Sequence, residues 1–215
     1  MDLFEAMEKR HSYRGSFTDK PVLKEDLVKI LDAGLRAPSG KNQQTTEFII
    51  VDDPELVKKI VTTVKNSTNV PVIAKVGLGT TNYLNTVKIA IDSGIDAITA
   101  INTVRAMAID VETQRPILSN KFGGLSGTPI KPIALRCVYE IASKHDIPII
   151  GCGGISTWED AIEFFLAGAS AIQLGSAIGD NWINVFDDIN KGILEYMKKK
   201  NYSNIEDMVG LAKKF

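Results

Sequence analysis

Ile149-Ile150-Gly151-Cys152-Gly153-Gly154-Ile155, followed by residues 157–167 and then Ala171-Ile172-Gln173-Leu174, decides the fold of this chain. The first run is short, apolar and free of polar alternation, as a buried strand is. Residues 157–167 read as an amphipathic helix, and the next apolar run is a second strand. Strand, helix and strand in that order build a parallel sheet covered by helices.

The same beat extends outward in both directions. Strands are predicted at 70–76 and 97–101, and helices at 83–93, 130–144 and 182–199. Upstream, Phe48-Ile49-Ile50-Val51 is a further β-type run, and Asp52-Asp53-Pro54 supplies a turn with proline opening a helix over 55–65. Counting that run, the pattern predicts five parallel strands. Two helices precede them, at 3–9 and 24–35; Pro21 opens the second and Ala37-Pro38-Ser39-Gly40 stops it. One long connection, residues 102–129, lacks periodicity and contains Gly123-Gly124-Leu125-Ser126-Gly127. Its length and glycine content point to a lid or binding loop that brings backbone N–H groups close to a ligand.

Composition narrows the function. A mass of 23.5 kDa with 44% hydrophobic and 24% charged residues suits a soluble globular protein, and the net charge of -1 gives neither nucleic acid nor an anionic membrane an electrostatic hold. No apolar run approaches the ~20 residues that span a bilayer, and the N-terminal residues lack the basic-then-apolar order of a secretion signal, so the expected location is the cytoplasm. Cys137 and Cys152 have no metal-type spacing and read as small core residues. His11 and His145 are likewise assigned no catalytic or ligand role.

Several blocks then carry a specific likeness. Val70-Pro71-Val72-Ile73-Ala74-Lys75, Ile101-Asn102-Thr103, the Gly123 to Gly127 run, Ile149 to Ile155 and Gln173-Leu174-Gly175-Ser176-Ala177 stand in an order that resembles the C-terminal half of a dihydroorotate dehydrogenase over residues 54–210. The resemblance implies the last four βα units of a TIM barrel that holds FMN. In that family the lysine matching Lys75 contacts the flavin pyrimidine. Gly153, Gly154, Gly175 and Ser176 would cup the phosphate with backbone N–H groups, Gly127 would join them, and Asn102 with Thr103 would meet an orotate-like ligand. The family's catalytic base lies on a loop after the fourth strand, where this chain has Asp52-Asp53-Pro54; no catalytic residue is named here.

The first ~50 residues read differently. Arg10, Ser12 and Arg14 match the Arg-x-Ser-x-Arg signature of flavin-dependent nitroreductases, and Asn42 with Gln44 matches their Asn-x-Gln pair. That resemblance implies a second FMN-type site and a chimera-like chain divided at 1–53 and 54–215, yet forming one structural unit.

The combined expectation is an α/β fold: a partial TIM-type (βα) barrel of about five parallel strands preceded by two helices, with an open flavodoxin-like sheet as the alternative. FMN is the expected cofactor. Two further readings stand beside the dehydrogenase: a recombined or designed fold without turnover, and a nitroreductase acting at a dimer interface. Open sheet edges predict a homodimer.

Overall fold

The computed structural model describes residues 54–78, 83–119, 121–181 and 183–215. Helix α1 (Pro54–Ser67) leads into strand β1 (Ile73–Val76), and α2 (Tyr83–Asp92) into β2 (Ala97–Ala100). After short strands β3 (Val104–Ala106), β4 (Ile109–Asp110), β5 (Arg115–Pro116) and β6 (Gly123–Leu125) come α3 (Lys131–Lys144) and β7 (Ile149–Cys152). Then follow α4 (Trp158–Ala167), β8 (Ala171–Gln173), the five-residue α5 (Ala177–Asn181) and α6 (Asn184–Lys200).

Local chemistry explains several of these boundaries. Thr157 caps α4 by accepting from the Asp160 N–H, and the Asp160 carboxylate returns the bond to the Thr157 N–H, which closes a reciprocal capping box. Pro132 stands in the first turn of α3, where a missing N–H costs nothing. Asn201 takes the left-handed conformation that ends α6, beyond a last turn carrying Lys198, Lys199 and Lys200. Asp96 ties α1 to the sheet by accepting from Lys65 Nζ at 2.7 Å and from the Val72 N–H at 2.6 Å. Lys65 and that N–H hold its carboxyl below the usual range.

The main sheet has four parallel strands in the order β1-β2-β7-β8, with Lys75 opposite Thr99, Thr99 opposite Ile150, and Cys152 opposite Gln173. The order follows the chain without reversal. An open flavodoxin-like sheet reverses at a switch point, so this is the progression of a partial (βα) barrel. The fifth predicted strand, 48–51, and the two N-terminal helices lie outside the described residues.

The sheet's two faces differ. Val76, Ile98, Ala100, Ile149 and Gly151 alternate onto the buried face, in one core with Val138 and Ile141 of α3 and Phe164 of α4. Each large apolar side chain buried there contributes about 1.5–3 kcal/mol. The opposite face carries Ile73, Lys75, Ile150, Cys152 and Gln173, none of them fully buried.

Of the described residues, 107–123 belong to one compact unit, and 54–106 with 124–215 to another. In the first, β4 and β5 pair antiparallel, Ile109 opposite Pro116, and the Asp110 carboxylate accepts from the Glu112 and Thr113 N–H groups across the turn. The connection that lacked periodicity therefore contains secondary structure, including a separate β3-β6 pair. Strands of two or three residues are too short for a period of two to register in sequence. The last predicted helix, 182–199, is α6 at Asn184–Lys200, and the short α5 before it was not predicted. Among the described residues no helix is long and apolar enough to cross a membrane.

Candidate active site at the strand C-termini

The C-terminal ends of the four strands open onto a cavity of about 290 Å³. Lys75 lies near the end of β1. Asn102 and Thr103 follow β2, held by bonds from Ile101 N–H to the Cys152 carbonyl and from Asn102 N–H to the Val76 carbonyl, both 2.7 Å. Gly153 and Gly154 follow β7, and Gly175 and Ser176 follow β8. All seven residues line the cavity, together with Ser126 and Gly127 from the far end of the long connection. Ser176 Oγ donates to Ser126 Oγ at 3.0 Å, which fastens that end to the turn after β8.

Lys75 is the one charged side chain in the described lining, which holds no carboxylate and no histidine. Its ammonium is 3.5 Å from Gln173 Oε1 and 3.8 Å from Cys152 Sγ, contacts that aim it across the sheet without neutralising it. Cys152 is therefore corrected from core residue to half-buried cavity residue, because it alternates with buried Gly151. Cys137 keeps its core assignment: it is fully buried on α3, and burial pushes its thiol up. Gln173 was not singled out as a site residue in the sequence; the signal was its register opposite Cys152.

The first glycine turn rests on the N-terminus of α3 and not on that of α4, the helix that follows it. Gly153 and Gly154 have φ of 134° and 75°, and a Cβ on Gly154 would lie 2.7 Å from the Lys131 backbone nitrogen in the first turn of α3. The N-terminus of the following helix, α4, is taken instead by Asp160, whose Oδ2 accepts from Ser156 N–H, Ser156 Oγ and Thr157 N–H at 2.9, 3.1 and 3.0 Å. The second turn precedes only the five-residue α5, so little helix dipole reaches it. Among the described residues, no loop hydrogen bond takes up the N–H groups of Gly153, Gly154, Gly175 or Ser176. A Cβ on Gly175 would meet nothing within 4 Å. Glycine backbone at two strand ends, open space beside Gly175 and one lysine suit the phosphate of FMN and a ring that gains negative charge on reduction.

A family-wide sequence profile described as dihydroorotate dehydrogenase matches residues 25–197. The chain belongs to the dihydroorotate dehydrogenase family. A relative from Pyrococcus furiosus, named as the catalytic subunit of dihydroorotate dehydrogenase B (NAD(+)), is 47% identical over 205 residues, covering 94% of this chain and 67% of its own length. Relatives of the same name from Thermococcus kodakarensis and Methanocaldococcus jannaschii are 45% and 39% identical, over 93% and 87% of this chain and 66% and 60% of their own lengths. The chain thus spans about two thirds of the length of these dihydroorotate dehydrogenases. The profile match begins N-terminal of the boundary drawn at residue 53, within the stretch whose motifs resemble a nitroreductase. Arg10, Ser12, Arg14, Asn42 and Gln44, which carry that second likeness, lie outside the described residues.

Proposed function

We propose that the chain is a cytoplasmic FMN-binding protein whose chemistry is that of a dihydroorotate dehydrogenase. The observation that carries this reading is the cavity itself: two glycine turns on adjacent strands, and Lys75 as the single charge of its described lining. The Gly153, Gly154, Gly175 and Ser176 N–H groups hold the phosphate, with Gly127 beside Ser176. Lys75, steadied by Gln173, faces the ring and favours added negative charge there. Asn102 and Thr103 present amide and hydroxyl groups to a planar, orotate-like ligand. When bound, FMN supplies hydride transfer, while the chain orients both partners.

We assign none of the described lining residues as a proton-abstracting group. In the described sheet β1 and β8 are edges, and we infer that a second copy covers such an edge in a homodimer. Light scattering on the purified protein tests this, and a monodisperse monomer counts against it.

The visible spectrum of freshly purified protein, followed by heat release of the chromophore, tests the main reading. FMN near one per chain, bleached anaerobically by dihydroorotate, is the expected result. Colourless protein that ignores added FMN would overturn the binding claim. Bound FMN that dihydroorotate leaves oxidised would overturn the dehydrogenase chemistry alone.

A further inference from the structure

Lys131 sits where an isolated lysine is unfavourable. It opens α3, whose first turn carries no acidic residue, so its ammonium meets the positive end of the helix dipole. The compensation comes from α4: Lys131 Nζ is 2.8 Å from Asp160 Oδ1 and 2.9 Å from Glu163 Oε2. Asp160 is only 8% exposed, and its other oxygen already holds Ser156 and Thr157. One carboxylate therefore fastens the loop leaving Gly154 on one side and the helix beneath Gly154 on the other.

We propose that Lys131, acting through Asp160, is a positioning residue for the phosphate turn. It clamps residues 153–157 onto the first turn of α3, and it neutralises a carboxylate that would otherwise repel an anion at the turn. The inference rests on the FMN reading above. Two observations carry it independently of any ligand. The turn lies in backbone contact range of Lys131 itself, since a Cβ on Gly154 would be 2.8 Å from the Lys131 Cα. The ion pair is also largely shielded, with side-chain exposures of 27% and 11%, so its loss is felt more than that of a surface pair.

The test compares FMN with riboflavin, which lacks the phosphate, by fluorescence titration of the full chain and its variants. Lys131→Met is expected to weaken FMN about tenfold or more while riboflavin stays within about twofold. Lys131→Arg, which keeps the charge, and Glu163→Gln, which keeps the Lys131 to Asp160 pair, are expected to retain the wild-type ratio of the two affinities. Without flavin, amide hydrogen exchange at residues 153–157 should quicken in Lys131→Met. A Lys131→Met ratio that stays at the wild-type value overturns the inference whatever the exchange shows. Parallel loss of both flavins does the same, since a general loss of folding would produce it. Wild-type protein that binds neither flavin defeats the FMN reading and this inference with it. Wild-type protein that binds FMN with a ratio insensitive to Lys131 defeats this inference alone.

Discussion

The glycine turns after β7 and β8 look alike in sequence and differ in what requires them. Gly153 and Gly154 have positive φ and touch α3: a Cβ on Gly153 would lie 2.8 Å from the Ala134 Cβ, and one on Gly154 as close to the Lys131 backbone. Gly175 has neither constraint, for its Cβ would enter open space. The first turn needs glycine to fold. At the second, nothing in the described chain needs it, so a demand for glycine there has to come from something that binds.

The largest expected effect breaks or sustains the first half of that comparison. Gly154→Ala combines left-handed strain with a clash against backbone, and should lower folding stability by about 2–4 kcal/mol in denaturant titrations. Wild-type stability in that variant would mean the turn shifts freely, and the contrast with Gly175 would disappear.

The second half is tested by Gly175→Ala. Folding stability should stay within about 1 kcal/mol of wild type or rise slightly. FMN affinity should fall about tenfold as the methyl fills the space beside the Ser176 N–H. Unchanged affinity would leave Gly175 without a reason on either account.

Acid sharpens the comparison further, because among the described residues only the first turn is backed by an ion pair. Burial pushes the Asp160 carboxyl up, but Lys131 and the Ser156 and Thr157 N–H groups more than offset it, and the net direction is below the usual carboxylate value. A carboxyl depressed in the folded state contributes stability above its unfolded value of about 3.9, and loses it as pH falls through the folded value. Asp160→Asn should therefore be less stable at neutral pH, yet lose less stability than wild type between about pH 5 and pH 2. Parallel pH profiles in chemical denaturation would contradict this.

The smallest expected change is at Lys75. Its contacts at 3.5 and 3.8 Å to Gln173 and Cys152 are weak, so Lys75→Ala should alter stability by no more than about 0.5 kcal/mol. A larger loss in thermal or denaturant unfolding would make this lysine structural and weaken its assignment to the ring.

How much of this was legible beforehand varies with the length of the signal. Helices α1, α2, α3 and α4 and the four main strands fall within a few residues of their predicted positions, because each spans enough residues for periodicity to show. The short strands between Val104 and Leu125 were read as loop for the opposite reason. The candidate residues that motif and position singled out at strand ends, Lys75, Asn102, Thr103, Gly153, Gly154, Gly175 and Ser176, line one cavity. The arrangement behind them was not. Lys131 and Asp160 are 29 residues apart, and nothing local to either predicts the pair. Cys152 was misread because a four-residue apolar strand does not announce which of its faces is covered.

The order of strands and helices, the glycines at strand ends and the lone lysine of β1 were determined by sequence alone, since each depends on neighbours within a few residues. Only the tertiary structure decided that β1-β2-β7-β8 run in chain order with one face less covered, and that the Gly154 turn lies on α3. It also decided that Asp160, rather than a free helix end, takes up the donors at the start of α4. These outcomes depend on which surfaces meet across tens of residues, a competition between burial and hydrogen-bond satisfaction that no local window contains.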